Sequence, residues 1–248
     1  KLLSNKTRVV FVNHVSNALG TINPVKEIIS KAHEFGAAVL IDGAQALPHF
    51  EVDVKDLDVD FYVGSAHKFY GPTGVGILYG KEKWLNKLPP YQGGGEMIDE
   101  VTFEKTTYAK LPNKFEAGTP NISGVIASGI AIDYINNIGL KTILKYENAL
   151  LKYATEKLLE IDGIKIYGNT DNKTSVISFN LGNIHHYDIG SIIDNEGIAV
   201  RTGHHCAQPI MDYYKIPGTI RLSLSFYNTK EEIDSLISAI ILAKKMLS

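Results

Sequence analysis

Cysteine is almost missing from this chain: Cys206 is the only one in 248 residues. An internal disulfide is therefore excluded, which suits a reducing compartment and a cytoplasmic location. Charge of one sign is missing too. The net charge of -2 leaves no basic or acidic excess, so neither nucleic acid nor an anionic membrane surface is expected as a partner. No apolar run approaches the roughly 20 residues of a membrane span. The first residues carry no secretory pattern, and there are no repeats or low-complexity tracts. What is present is the 44% hydrophobic and 21% charged composition of a globular protein, long enough for one large or two modest domains. The chain opens at Lys1 rather than Met and runs almost at once into Arg8-Val9-Val10-Phe11-Val12. That reads as a fragment or a processed chain entered in mid-domain.

Residues 9–15 read as a buried strand, followed by the polar loop His14-Val15-Ser16-Asn17. Asn23-Pro24 marks a helix start, with Asn as cap and Pro at the first helical position. Val25, Ile28, Ile29 and Ala32 fall at helical spacing, and Gly36 stops the helix. The strand at 37–41 then completes a βαβ unit. Strands follow at 58–64 and 74–79, and 84–114 reads as an extended loop region. Ser123 caps a helix to about 137, and an amphipathic helix over 140–160 carries Ile143, Leu144, Leu151, Leu158 and Leu159. Strands at 164–167, 176–179, 198–200 and 219–226 alternate with helices at 188–195 and 230–246. The change from sheet and loops to helix near Ile122 predicts two domains, 1–122 and 123–248. The fold class expected is α/β.

Two stretches concentrate polar chemistry. In the first, Ala37-Ala38-Val39-Leu40-Ile41 ends in Asp42-Gly43-Ala44-Gln45, and Phe61-Tyr62-Val63 ends in Gly64-Ser65-Ala66-His67-Lys68. Ligands of open α/β sheets lie beyond the carboxyl ends of strands, so an acid, a hydroxyl, an imidazole and an amine could meet one small molecule there. A lysine packed among Phe69, Tyr70 and glycines is a candidate for a lowered pKa, and a neutral amine forms Schiff bases with aldehydes. Pyridoxal phosphate needs such a lysine, a carboxylate at its ring nitrogen and donors for its phosphate. Taken alone, Lys68 is as readily a solvated lysine on a glycine-rich turn. Gly71-Pro72-Thr73-Gly74-Val75-Gly76 also suggests a nucleotide loop, but lacks the Gly-Lys-Ser/Thr ending that grips a triphosphate.

The second stretch is Arg201-Thr202-Gly203-His204-His205-Cys206-Ala207-Gln208-Pro209. Positive charge near a thiol makes it nucleophilic, whereas a lone cysteine is more commonly an inert core residue. Zinc held by His204, His205, Cys206 and His185 or His186 is poorly supported, because adjacent ligands suit a tetrahedral site badly. Arg221 lies inside the apolar strand Thr219-Ile220-Arg221-Leu222-Ser223, so it must meet an anion. That anion is either a protein acid or the carboxylate of an amino-acid substrate, which a guanidinium grips bidentately.

With these motifs in order, the chain resembles the class II, SufS-type cysteine desulfurases and selenocysteine lyases among the fold-type-I pyridoxal-phosphate enzymes. The likeness rests on Thr21-x-x-Pro24 after Asn17, Asp42-Gly-Ala-Gln45, Ser65-x-His67-Lys68-x-x-Gly71-Pro-Thr-Gly74, Phe115-Glu-Ala-Gly-Thr119-Pro-Asn121, the Arg201–Pro209 cluster, and Arg221 followed by Tyr227-Asn228-Thr229.

That resemblance implies roles. Lys68 would hold pyridoxal 5'-phosphate as a Schiff base and shuttle the substrate Cα proton. Asp42 would pair with the ring nitrogen, Gln45 with the ring oxygen, and Ser65 and His67 with the phosphate. Thr119 would reach the neighbouring subunit's phosphate in a homodimer. Asn17 and Arg221 would hold the substrate carboxylate, and Arg201 would position the cysteine loop. Cys206 would take sulfur from L-cysteine, leaving L-alanine, and a sulfur-acceptor protein of the SufE or SufU kind would receive it for iron–sulfur cluster assembly. The family also implies an N-terminal portion with a ring-stacking histidine and a phosphate-binding threonine loop, neither of which is found here. A selenocysteine lyase acting on L-selenocysteine, another lyase or aminotransferase of the same fold, or an inactive fragment are the alternatives.

Overall fold

The computed structural model describes residues 2–247. The chain divides into two compact units. One takes residues up to Asn13, Pro24–Pro48 and Val52–Asn137; the other takes His14–Asn23, His49–Glu51 and the chain from Ile138. The main division thus falls beside Gly139, whose φ of 89° separates two helices, rather than near Ile122. The short segments 14–23 and 49–51 count with the second unit.

In the first unit, β1 (Val9–Asn13), β2 (Ala38–Asp42) and β3 (Phe61–Ser65) pair in parallel, and β4 (Gly76–Gly80) runs antiparallel to β3. Helix α1 (Val25–Glu34) connects β1 to β2 and buries Val25, Ile29 and Ala32. Those side chains pack with Ala37, Val39, Ile41, Val59 and Tyr62. The helix begins one residue later than the Asn-Pro pair suggests. Pro24 occupies the cap position without a side-chain cap, and its carbonyl accepts from Ile28 N–H. Strand β1 is less buried than expected: among the described residues it pairs on one side only, with β2, and Val9 and Phe11 are 43% and 72% exposed.

The stretch from 84 to 114 is more ordered than the sequence suggests. It begins inside α2 (Glu82–Leu85) and contains a hairpin of β5 (Ile98–Val101) and β6 (Thr106–Tyr108). Its turn is closed by Thr102, whose Oγ1 accepts from Glu104 and Lys105 N–H. Neither strand shows the apolar alternation or the Gly/Asn turn that announces a hairpin. Helix α3 (Ile122–Ile138) follows, capped by Asn121 rather than Ser123: Asn121 Oδ1 accepts from Gly124 N–H at 3.0 Å.

One buried carboxylate ties the amino ends of this sheet. Asp60, 1% exposed, accepts from Val39 N–H, Trp84 Nε1 and His33 Nε2, with Lys81 at 3.5 Å. Burial alone would push its carboxyl up; the His33, Trp84 and Val39 hydrogen bonds and Lys81 outweigh that and hold it below the usual range.

The second unit is α+β. Strands β7 (Ile164–Tyr167), β8 (Val176–Leu181), β9 (Arg201–Gly203) and β10 (Thr219–Ser223) form one antiparallel sheet in the order β7-β8-β10-β9. Helices α4 (Leu140–Leu159), α5 (His186–Asn195) and α7 (Lys230–Leu247) bury Leu150, Ile189 and Leu236 with Phe179 and Ile220 of the sheet. The short α6 (Gln208–Tyr214) follows the cysteine loop and was not expected.

Two details depart from the sequence pattern. The strand expected at 198–200 lies at 201–203, because Ile198 N–H turns back to Ile193 O and ends α5 first. The buried stripe of α4 is Ile143, Glu147, Leu150, Ala154 and Leu158, while Leu159 is exposed. The glutamate in that stripe, fully buried, meets His49 Nδ1 at 2.7 Å and Ser175 Oγ at 3.2 Å.

Removing the shared carboxylate should be costly, because its donors stay buried without an acceptor. Asp60→Ala is expected to lower the unfolding free energy by about 3 kcal/mol. Urea unfolding followed through Trp84, the only tryptophan, measures this. An unchanged midpoint would show that Asp60 is not the tie.

Candidate active site

The residues singled out in the sequence fall into two groups, each within one unit. The first lies at the carboxyl ends of β2 and β3. Asp42 is level with Val63 across the parallel pair, so Ser65 stands two residues further along the neighbouring strand. Residues Ala66–Lys68 then form a 3-10 turn that brings His67 and Lys68 directly after the strand. The turn is held by Phe69 N–H and Gly71 N–H, both donating to Ala66 O. Lys68 is half-buried and His67 exposed.

The sheet seats Asp42 through its neighbours. Asp42 Oδ1 accepts from Ala44 N–H at 2.9 Å, and Gly43 N–H donates to Val63 O. Gly43 is needed for space: a Cβ there would lie 1.9 Å from the Tyr62 ring. Burial, and then the Asp42 charge, push the Tyr62 phenol well above its ordinary range, so it remains neutral beside the acid.

Among the described residues, Gln45, Ser65, His67 and Lys68 make no side-chain hydrogen bond or ion pair. Thr119 is exposed in the loop after Gly118, a residue whose φ is 79°.

The second group lies in the second unit. Asn17, distant in sequence, is brought here by the 14–23 segment. Thr174 N–H donates to Gly20 O, and Ser178 Oγ donates to Ala18 O. Gly20, φ 75°, sits so close to β8 that a Cβ would lie 2.8 Å from Val176 O. Asn17 then makes two connections. Its carbonyl accepts from Arg221 NH1 at 2.9 Å, and its Nδ2 donates to His205 O at 2.7 Å.

Arg221 and Arg201 occupy directly paired positions of β10 and β9. Like charges in that arrangement repel. Among the described residues neither forms an ion pair with a carboxylate, and Arg221 Nε is buried without a partner. The protein salt bridge considered for Arg221 is therefore not what the structure contains. Burial, and then Arg201, push the Arg221 guanidinium down from its ordinary value, but from so high a range that it stays a cation.

Cys206 is exposed, as a nucleophile requires. It and His205 both lie in the left-handed region, with φ of 56° and 54°. His205 is 3% exposed, with Nε2 2.8 Å from Thr219 Oγ1. Burial, then Arg221 and Arg201, push its pKa down to about 4. The sequence pattern did not mark Thr219. The signal was available: Thr219 and Arg221 are two apart on a strand and so share a face.

The aminotransferase class-V family model matches residues 1–236. A cysteine desulfurase of Enterobacter sp. (strain 638) is 53% identical over 240 residues, 96% of this chain and 59% of the relative. One from Cronobacter sakazakii is 51% identical over 247 residues, 99% of this chain and 61% of the relative. Among solved structures, the cysteine desulfurase CsdA of Escherichia coli superposes with a TM-score of 0.95 at 36% identity, covering 100% of this chain and 61% of that one. A cysteine desulfurase of Thermococcus onnurineus gives 0.92 at 40% identity, covering 96% and 60%. The chain thus spans about three fifths of the length of these relatives.

The buried imidazoles set an acid limit. Burial pushes His14 down to about 4 as well. Between pH 6.5 and 4 the unfolded chain binds protons that the folded His14 and His205 do not, so stability rises with pH there. It is complete above pH 6.5 and falls as pH drops toward 4, by up to about 3 kcal/mol for each imidazole. Urea midpoints measured from pH 7 to 4 should fall accordingly, and His14→Asn should flatten the slope. An equal slope in that variant would exclude His14 as a source.

The matched family model covers nearly the whole chain, and the fold is that of the fold-type-I enzymes: the chain belongs to the aminotransferase class-V family.

Proposed function

We propose that this chain carries the catalytic lysine and cysteine of a pyridoxal-phosphate-dependent cysteine desulfurase. The reading is carried by one observation. An exposed cysteine follows His205, whose carbonyl Asn17 ties to Arg221, and among the described residues neither Arg221 nor its strand neighbour Arg201 has a carboxylate partner. A site with uncompensated guanidinium groups suits a substrate carboxylate, and a thiol presented beside it suits attack on that substrate's sulfur. The identity to cysteine desulfurases supports the same reading.

The first group fits the cofactor. It offers a carboxylate beside a neutral phenol and, among the described residues, an amine, a hydroxyl and an imidazole that make no side-chain hydrogen bond. Lys68 Nζ would anchor the cofactor's aldehyde, Asp42 would meet the ring nitrogen, Gln45 the ring oxygen, and Ser65 and His67 the phosphate. When bound, pyridoxal phosphate supplies an electron-withdrawing ring that stabilises negative charge at the substrate's Cα. Lys68 Nζ would carry the Cα proton.

The second group performs the sulfur chemistry. Arg221 and Asn17 orient L-cysteine by its carboxylate, with Arg201 on the paired strand. The Cys206 thiolate attacks the substrate sulfur. A sulfur–sulfur bond forms on Cys206 as the substrate's carbon–sulfur bond breaks, and the carbon takes a proton to leave as L-alanine. The persulfide then passes to an acceptor protein of the SufE or SufU kind for iron–sulfur cluster assembly. In this reading the protein acts as a homodimer, with the Thr119 segment reaching the neighbouring subunit's phosphate.

The test uses the full protein with L-cysteine and a reductant. Borohydride reduction and peptide mapping should place the cofactor on Lys68. Lys68→Ala and Cys206→Ala should each cut alanine release by roughly 100-fold or more. Ordinary turnover by Cys206→Ala would refute the desulfurase reading.

A further inference from the structure

We propose that His205 is a positioning residue, locked at both its main chain and its side chain so that Cys206 is held out toward the substrate. The inference rests on the desulfurase reading and adds to it a support that acts through the cysteine rather than on the substrate.

Two non-glycine residues in succession adopt left-handed backbone, His205 and Cys206. That conformation crowds Cβ against the following carbonyl, so single residues adopt it only where the surroundings insist. The surroundings here are specific. Asn17 Nδ2 fixes the His205 carbonyl at 2.7 Å, and Ala207 N–H donates to His204 O at 2.8 Å to close the turn. The His205 side chain is 3% exposed and meets Thr219 Oγ1 at 2.8 Å. Thr219 stands on β10, the strand that also bears Arg221. The residue before the nucleophile is therefore clamped between the segment and the strand that would hold the substrate.

The ring is not arranged to act on the thiol. Its Nε2 is spent on Thr219, and its Nδ1 is buried without a partner among the described residues. Its lowered pKa keeps it neutral at pH 7, so it can share one proton with the Thr219 hydroxyl and carries no charge into the site. What His205 supplies is the direction of the next side chain. Arg221 connects to the same clamp, since it holds Asn17 by the carbonyl while Asn17 holds His205.

The experiment compares four variants in the full protein carrying pyridoxal phosphate. Thr219→Val removes the hydroxyl, Thr219→Ser restores it, His205→Ala removes the ring, and Cys206→Ser removes the nucleophile. Thr219→Val and His205→Ala should each lower kcat for L-cysteine roughly 10- to 100-fold, as displaced reacting groups do. KM should change by less than about 3-fold, since substrate binding is untouched. Thr219→Ser should stay within about 2-fold of the parent in kcat. Mass spectrometry after one turnover should show less persulfide on Cys206 in Thr219→Val, with the cofactor's absorbance unchanged.

Thr219→Val turning over like the parent while Cys206→Ser is inactive would overturn the positioning role and leave the desulfurase reading intact. A loss confined to KM, or one that Thr219→Ser shares, would overturn it too. If Cys206→Ser itself turned over normally, the desulfurase reading would fall and His205 would have no nucleophile to position. Should His205→Ala fail to fold, the Thr219 pair still decides.

Discussion

The donation from Arg221 to the carbonyl of Asn17 is the contact on which the rest depends. An arginine in the middle of a strand must find acceptors, and the usual solution is a carboxylate. Here a main-chain carbonyl serves instead. It accepts one hydrogen bond and leaves the positive charge uncompensated. The same bond fastens the 14–23 segment to the sheet of the second unit, and so carries Asn17 to the cysteine loop, 188 residues away in sequence. Gly20 against β8 and the Ser178 hydroxyl on Ala18 O complete the attachment. A carboxylate in place of that carbonyl would satisfy the arginine better and remove the reason for an anion to bind.

The parallel strands of the first unit are polarised in a related way. Their amino ends are closed by Asp60, which gathers donors from β2, α1 and α2 and leaves none idle. Their carboxyl ends carry Asp42, Ser65, His67 and Lys68, with almost no partners in the protein. Satisfying polar groups at one end fixes where the strands start. Leaving them unsatisfied at the other creates binding capacity, and polar groups of this kind cost little only while water or a ligand can reach them. The sheet thus converts strand direction into a difference between a structural edge and a chemical one.

Much of this was legible in the sequence, for identifiable reasons. The apolar run before Asp42 and the helical spacing of Val25, Ile29 and Ala32 follow from periodicity, and burial in the structure obeys it. Gly36 stops α1 with a φ of 71° because only glycine takes that conformation without cost. The failures share a cause, which is that the deciding contact is distant in sequence. Nothing near Glu147 announces that His49 will meet it inside an apolar stripe. Phe11 reads as core, yet among the described residues its strand is paired on one side only, and the number of a strand's neighbours is not written in the strand itself. The β5–β6 hairpin is held by a threonine turn that resembles ordinary loop composition. Asn17 was legible as a polar residue after a strand, but its place beside Arg221 depends on the 14–23 excursion.

The cysteine loop shows how far residue types alone can mislead. A histidine whose side chain meets a cysteine can act as its base. Geometry argues against that role here. Both residues are in left-handed backbone, yet His205 is buried while Cys206 is exposed. The buried ring is neutral and committed to Thr219, so it cannot supply the positive charge that would stabilise a thiolate. Arg201 and Arg221 lie on neighbouring strands, and among the described residues neither meets an acid. The division of labour is therefore between cations that attract anionic groups and a neutral imidazole that sets direction. It follows from burial, since an imidazolium placed under two guanidinium groups would pay for both desolvation and repulsion.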